Sequence, residues 1–568
     1  MSTAAPGPPA WHLFVPKLVT VLRRGYGLAD LRADLFAGLT VAVVALPLAM
    51  ALAIASGTTP EKGLHTAIVA GFLISALGGS RVQIGGPTAA FIPVVFVVIE
   101  RFGYGGMILC TLLAGLMLIG AGLLRLGTLM KYMPKPVITG FTAGIAVTIF
   151  SSQVKDFLGI DLVQVPGEFL ERWRAYAAHA DTIDLPNAGL AFACLGLIVA
   201  LRRWWPRGPA LLLAVVAGAV VASLFALPVE TIATRFPGGI PATLPQFSFP
   251  HIPFERTVEM LPSAFTIAFL AGVESLLSAV VADGMIGGRH RSNCELVAQG
   301  VANSMSALFG GLPATGALAR TATNVRAGAR SPVSGIAHAA FLLAFVLVAA
   351  PLMSFVPLGA LAAVLMVVAW NMAELESFRH LLRGPWGDRA VLLLTFVLTV
   401  AFDLTIAIEV GVVLAAFLFM HRMSEVVEVT SHVHLIEDDV DDIVAGPAPD
   451  QRAELPPGVE VFRISGPLFF AVASRLDDAL NQIPKGTRVF ILRTRLVPMI
   501  DTSGVASLVE FLERCAHKGI RVVVSGLKPQ PREILERMGV LGHRAIAALT
   551  PGFDEALQKA QLLVDEPR

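Results

Sequence analysis

Charge is scarce in this chain. Asp, Glu, Lys and Arg make up 15% of 568 residues and hydrophobic residues 55%, against roughly 25% charged in ordinary soluble domains. That deficit excludes a single soluble globule and predicts a polytopic α-helical membrane protein. Cysteine is equally sparse: Cys110, Cys194, Cys294 and Cys515 are scattered, with no CxxC or metal-ligand spacing, so no disulfide framework or metal site is expected. The net formal charge is +1, and no basic excess points to nucleic acid. The N-terminus MSTAAPGPPAWHLFVPKL lacks a charged stretch followed by an apolar core and a small-residue cleavage site, so no cleaved signal peptide is expected. No nucleophile–base pair, metal cluster or phosphate loop stands out, which leaves little support for an enzyme and no call for a cofactor.

What is present are long apolar runs. A bilayer core of about 30 Å takes roughly 20 apolar residues per helix. On that rule spans are predicted near 35–56, 64–80, 83–100, 104–124, 132–153, 187–204 and 208–227, then near 258–283, 292–309, 313–329, 333–352, 355–372, 387–402 and 404–422. The count is seven and seven, and an even total puts both ends on one side. Arg23, Arg24, Arg32, Arg125, Lys131, Lys135, Arg202, Arg203, Arg207, Arg289, Arg291, Arg326, Arg330, Arg379, Arg383 and Arg389 all fall on that side. The longest opposite loop, 154–186, carries Asp156, Asp161, Glu168, Glu171, Asp181 and Asp184. The positive-inside rule then makes both termini cytoplasmic, in a plasma (inner) membrane. Residues 1–34 read as a cytoplasmic lead, ending in a short amphipathic helix around Asp30–Asp34.

Two equal halves with an odd number of spans each imply an inverted repeat. Shifting the chain by 226 residues sets Gly85-Gly86-Pro87-Thr88-Ala89-Ala90 against Gly311-Leu312-Pro313-Ala314-Thr315-Gly316. Both are Gly/Pro breaks in the third span of their half, a pairing that points to a binding site near the membrane centre. Extended chain is expected before each, over Arg81–Ile84 and Ser306–Phe309. In the second break Pro313 suits the first helical position, leaving the N–H groups of Ala314, Thr315 and Gly316 free to bind an anion. Arg320, four residues after Gly316, shares its face and leans back toward the opening, with Gly316 leaving it room. The bland alternative is an arginine that snorkels or pairs with a carboxylate.

The eighth span carries Glu274, with Ser278 one turn on. A carboxylate inside a membrane helix must be paired, protonated or ion-binding; a fixed Glu274–Arg320 ion pair is the structural alternative to a proton carrier or a cation ligand. Asp283 reads as a cap, Glu374, Glu376 and Glu409 as packing or gate contacts, and Phe91 as a core residue or a floor to the site. After an acidic, Pro-rich linker at 424–456, strands are expected at Val459–Ile464, Arg488–Leu492 and Ile520–Val524. Val505, Leu508, Val509, Leu512 and Cys515 lie on one helical face. That alternation predicts a small α/β domain, in which Ser503 of Ile500-Asp501-Thr502-Ser503-Gly504 is a cap or an exposed hydroxyl.

From about Asp34 to Ala560 the chain resembles the sulfate permease (SulP) family of anion transporters, most specifically in LPATGALARTATNVRAGARSPVSG, in Glu274 and in the tail, which looks like a STAS domain. The resemblance implies fourteen spans as a 7+7 inverted repeat with two half-helices, an elevator-like displacement of core against gate, and a homodimer. It implies four segments: residues 1–34, a transport domain at 35–423, a linker at 424–456 and a STAS domain at 457–563. An anion of the bicarbonate, sulfate or C4-dicarboxylate class would sit between the half-helices, against Pro87, Thr88, Ala89, Thr315, Gly316, Ala317 and Arg320. Glu274 and Ser278 would hold the coupling ion. Where sulfate-type members carry Gln after the first-span proline this chain has Leu48, and where sodium-coupled bicarbonate carriers have Thr it has Leu318. The missing hydroxyl favours proton coupling over sodium; sodium symport and exchange are the alternatives. Ser503 matches the serine phosphorylated in anti-sigma-factor antagonists, a candidate regulatory phosphosite on a domain that could also bind a cytoplasmic protein. A nucleobase permease, an uncoupled channel and a membrane-tethered signalling protein are the rival readings.

Overall fold

The computed structural model describes residues 13–128, 134–162, 165–205, 208–237, 239–247, 254–402, 404–426, 428–430, 455–469 and 486–566. Residues 1–12, Lys131, Arg207 and the 431–454 part of the acidic linker lie outside the described residues. The chain divides into two compact units, Met1–Ala415 and Ala416–Arg568.

The first unit is helical. After α1 (Lys17–Arg24) the first half contains α2 (Leu28–Ala55), α3 (Pro60–Leu77), α4 (Ile92–Leu123), α5 (Lys135–Leu158), the short α6 (Phe169–Ala178), α7 (Leu185–Trp204), α8 (Ala210–Leu224) and α9 (Ile232–Arg235). The second half runs α10 (Thr257–Ile286), α11 (Ser292–Leu308), α12 (Leu318–Arg326), α13 (Val333–Met353), α14 (Leu358–Met372), α15 (Leu375–Leu381), α16 (Trp386–Ala401) and α17 (Leu404–Val426). Among the described residues, seven helices are long and apolar enough to cross a bilayer by themselves. α4 holds the second half of the third expected span and the fourth, divided at Gly103, which takes φ 70°, ψ −178°, a conformation open to glycine and strained for other residues. The helix order is consistent with the seven-plus-seven series. Phe36, Phe72, Phe192, Val348 and Phe417 are exposed, which would cost free energy in water and suits a hydrocarbon surround.

One expectation at the N-terminus is corrected. Asp30–Asp34 is not a separate surface helix but the start of α2: the Asp30 carboxylate accepts the Gly27 N–H (3.2 Å), and no break follows before Ala55. The short helix is α1, with Arg23 and Arg24 in its last turn. Asp34 is fully buried and accepts from Tyr26 Oη, Ser331 Oγ and the N–H groups of Arg330 and Ser331, pinning α2 to the turn between α12 and α13.

The second unit holds a five-stranded sheet in the order β3–β4–β5–β6–β7: β3 (Glu428–Thr430), β4 (Val459–Ser465), β5 (Val489–Leu496), β6 (Arg521–Ser525) and β7 (Ile546–Thr550). β3 is antiparallel to β4 and the others are parallel. β3 falls in the stretch read as linker, so an ordered strand precedes its acidic part. Alternation along β5 divides the core. Phe490 and Leu492 pack with Val505, Leu508, Phe511, Leu512 and Cys515 of α18 (Thr502–His517), whereas Val489 and Ile491 pack with Ala556, Ala560 and Leu563 of α20 (Phe553–Asp565). Between β6 and β7 lies α19 (Pro529–Arg537). β7, which the sequence reading did not mark, is a short apolar run without apolar–polar alternation, although its residues alternate between half-buried and exposed.

Candidate functional site

Both Gly/Pro breaks are present, and they meet. Gly85–Gly86 (β1) and Thr315–Gly316 (β2) form a two-residue antiparallel ladder with Gly85 opposite Gly316 and Gly86 opposite Thr315. Ala317 N–H extends it to Ile84 O (2.8 Å). This pairing satisfies backbone that the bilayer could not, and it corrects the expected start of the second half-helix. α12 opens at Leu318 with Ala317 as its cap, not at Pro313. Ala314 N–H goes to Asn303 Oδ1 (2.8 Å), and Thr315 and Gly316 belong to the ladder. The donors left over are the N–H groups of Leu318, Ala319 and Arg320, since Thr321 N closes the first turn on Ala317 O (2.9 Å). In the first half Thr88 caps a single 3-10 turn, Ala89–Phe91, that leads into α4, so Thr88 and Ala317 are the equivalent positions rather than Pro87 and Pro313. Arg81–Ile84 is non-helical, as expected, with bends at Arg81 and Val82. Ser306–Phe309 is not the expected extended chain: α11 runs to Leu308, and the extended stretch follows Gly310.

The room made for Arg320 is also on the other strand. A Cβ at Gly86 (φ +152°) would collide with Arg320 Nη1, whereas Gly316 is covered by the Gln83 amide. Arg320 is 3% exposed, and Nε, Nη1 and Nη2 have no hydrogen-bond partner among the described residues. Glu274 lies within electrostatic reach of it, but no ion pair joins the two among the described residues. Glu274 is only partly buried, and its Oε2 accepts from Thr88 Oγ1 (3.0 Å). A fixed Glu274–Arg320 pair is therefore not the arrangement found. A buried guanidinium without an acceptor is costly; Arg320 sits in the first turn of α12, where among the described residues three N–H groups are left over, and its Nη1 lies against Gly86.

α10 carries the anchoring points along one face. Thr315 Oγ1 donates to Ala271 O (2.9 Å), Thr88 to Glu274, Gln83 Nε2 to Ser275 Oγ (2.9 Å) and O (3.1 Å), and Ser278 Oγ to Thr321 Oγ1 (3.1 Å). These residues follow the i, i+3, i+4, i+7 spacing of one helical stripe. Ser278 thus shares the stripe with Glu274 while its hydroxyl turns to α12, and Thr315 is fully buried with its hydroxyl used by the backbone. Ala89 and Ala317 line the two helix openings as buried residues. Phe91 belongs to the main core, Asp283 caps the turn after α10 through His290 N (2.7 Å), and Glu409 is exposed. In the second unit Ser503 is exposed on the first turn of α18, which Asp501 caps by accepting Gly504 N–H (2.7 Å).

Sequence reasoning missed the residues that hold this geometry. Glu295 on α11 is fully buried and accepts from Gly79 N (2.8 Å), Ser80 N (3.2 Å), Ser275 Oγ (3.1 Å) and Gln299 Nε2 (2.9 Å). Asn303 brackets Ala314 through both N–H and C=O, and Thr66 Oγ1 accepts Leu312 N–H (2.6 Å). The signal was available: Glu295, Gln299 and Asn303 recur every four residues, a polar stripe inside an apolar span.

Comparison with known proteins agrees with this architecture. The sulfate permease family model matches residues 31–395 and the STAS domain model residues 451–549. "Putative sulfate transporter YvdB" of Bacillus subtilis (strain 168) is 42% identical over 522 residues, 91% of this chain and 95% of that protein. Bicarbonate transporter BicA of Synechocystis sp. (strain ATCC 27184 / PCC 6803 / Kazusa) is 31% identical over 545 residues, 94% of this chain and 95% of its own. The structure of the murine solute carrier 26 family member A9 anion transporter superposes with a TM-score of 0.85 over 99% of this chain and 96% of that one; at 18% identity it speaks for the fold alone. With a family model covering more than half its length, the chain belongs to the sulfate permease family of anion transporters.

Proposed function

We propose that the chain is a proton-coupled secondary transporter of a small anion of the bicarbonate, sulfate or C4-dicarboxylate class. The observation that carries this reading is Arg320: buried, without a partner among the described residues, and with its guanidinium against Gly86 of the opposite break. The anion accepts from Arg320 and from the free N–H groups of α12, with the turn at Thr88, Ala89 and Ala90 facing it from the opposite half. Pro87, Thr315, Gly316 and Ala317 shape the two breaks that hold these donors apart.

Coupling follows from the charge of Glu274. An anion beside Arg320 is repelled by an ionised Glu274 in a medium of low dielectric, and a proton on Glu274 removes that repulsion. Anion and proton then favour each other's binding, a reciprocal linkage, and the pair crosses together. Ser278 contributes by fixing α10 to α12 rather than by holding the ion. A sodium ion would need more oxygen ligands, and Leu318 offers none.

The same reading has the domain limits 35–423 and 457–563, both termini cytoplasmic in the plasma (inner) membrane, elevator-type motion and a homodimer. A STAS domain reachable by a cytoplasmic protein completes it. Ser503 is suited to phosphorylation because an added phosphate would meet the positive end of α18. The test is uptake of labelled bicarbonate, sulfate and succinate into proteoliposomes, with and without an inward proton gradient and, in parallel, a sodium gradient. Acceleration of one anion by the proton gradient alone supports the proposal; flux that ignores both gradients removes Glu274 from coupling.

A further inference from the structure

α12 and α13 are tied by one rung: Asn324 Nδ2 donates to Ser334 Oγ (2.8 Å) as well as to Val82 O (2.8 Å). α12 runs away from the ladder toward the turn at 327–332 and α13 runs back from it, so the two helices pass in opposite directions. One helical turn from the rung toward the site lies Arg320 on α12, four residues before Asn324. One turn in the same direction on α13 lies His338, four residues after Ser334. The rung therefore brings Arg320 and His338 to the same level. Both helices follow the strand that enters the first break: Asn324 donates to Val82 O, Gly335 lies against Ile84, and Arg320 Nη1 lies against Gly86.

His338 is fully buried, and neither Nδ1 nor Nε2 has a hydrogen-bond partner among the described residues. The backbone that carries it is packed closely on its neighbours. A Cβ at Gly38 of α2 would stand 2.9 Å from His338 N, and Gly335, a turn earlier, lies against Ser75 and Ile84. The imidazole and the guanidinium thus stand at the same level, each buried and without a hydrogen-bond partner among the described residues. Buried polar groups are rarely left so, and an anion between them would accept the one N–H of the neutral imidazole together with N–H groups of the guanidinium.

We infer that His338 is a second side-chain donor to the transported anion, sharing it with Arg320; this rests on the anion site proposed above. The neutral imidazole supplies a directed N–H from a third element, α13, where the helix openings and Arg320 supply donors from α12 and from the opposite half. It fixes one oxygen of the anion and so contributes to selection among oxyanions of different shape.

The experiment is uptake kinetics in proteoliposomes for whichever of labelled sulfate, bicarbonate or succinate the wild-type protein carries. The variants are His338→Phe, which fills the space without an N–H, His338→Gln, which restores one, and Arg320→Ala. Removing one hydrogen bond to a charged ligand should raise KM about tenfold in His338→Phe with kcat within about twofold, and His338→Gln should recover most of the loss. His338→Leu stands in should the Phe variant not fold. An unchanged KM in His338→Phe with uptake abolished in Arg320→Ala overturns the role of His338 and leaves the anion site standing. Equal losses of kcat at constant KM in both the Phe and Gln variants also overturn it, because they assign His338 to the conformational change. Wild-type uptake in Arg320→Ala overturns the anion site itself, and His338 falls with it.

Discussion

Two carboxylates stand on adjacent helices of the same half, Glu274 on α10 and Glu295 on α11, and their surroundings differ in kind. Glu295 is fully buried and its two oxygens accept four hydrogen bonds, two of them from the backbone that enters the first break. Glu274 is partly open and accepts one among the described residues, from Thr88. Ser275, the residue after Glu274, is what joins them: it donates to Glu295 and accepts from Gln83. A carboxylate surrounded by donors holds a structure in place, whereas one with a single donor keeps the capacity to take up a proton or follow a ligand. Arg320 stands on the same side of that division as Glu274, with its three nitrogens unpartnered among the described residues.

The division is broken most severely at the anchor. Glu295→Ala leaves the N–H groups of Gly79 and Ser80 and the side chains of Ser275 and Gln299 without their acceptor, at a cost of about 3–5 kcal/mol. The expected result is a collapse of folded yield or a large fall in thermal unfolding temperature in detergent, whatever ligand is present. Survival of a stable Ala variant would mean that the first break is held by the β1–β2 ladder without Glu295.

Arg320→Ala is the opposite experiment. No protein group loses a partner, so the unfolding temperature should change little or rise, while anion uptake falls at least about a hundredfold through loss of two or more charge-assisted bonds. A variant that unfolds as readily as Glu295→Ala would make Arg320 an anchor and dissolve the contrast.

The contrast between the two glutamates was only half visible in the sequence, and the reason is physical. Gly85-Gly86-Pro87 and Gly310-Gly311-Leu312-Pro313 are local breakers, so the two interruptions could be read directly. Where α12 starts is decided by a contact distant along the chain: pairing with Gly85–Gly86 draws Thr315 and Gly316 into a ladder and Asn303 captures Ala314, overriding the local signal of Pro313. For the same reason the glycine that accommodates Arg320 was sought beside it, at Gly316, although it lies across the ladder at Gly86. Glu274 stood out because its neighbours are apolar, while Glu295, near the start of its span, did not. The α/β unit was the easier part, since strand alternation and helix period are local patterns, and the strands without one are the short β3 and β7.

Glu274→Gln tests a single proton. The amide oxygen can still accept from Thr88, so stability should change by less than about 1 kcal/mol and anion binding should persist. What should disappear is the acceleration of uptake by an inward proton gradient, measured at fixed anion concentration. Gradient-driven uptake that survives the substitution would put the coupling site elsewhere and make Glu274 a structural residue like Glu295.

The smallest effects come from two threonines that carry the same contrast in hydroxyl form. Thr315 donates to the Ala271 carbonyl and Thr88 to the Glu274 carboxylate, so each threonine ties its break to α10 by one hydrogen bond. A carbonyl acceptor does not change charge during a transport cycle; a carboxylate that binds a proton does. Thr315→Val should therefore cost about 1 kcal/mol of stability and leave the pH dependence of uptake as in the wild type. Thr88→Val removes the one donor that stabilises ionised Glu274, so the carboxyl should take its proton more readily and the pH profile of uptake should move to higher pH. If both variants move the profile equally, the two hydroxyls act alike on the site as a whole, and the distinction between a fixed and a titrating partner does not extend to the side chains that contact them.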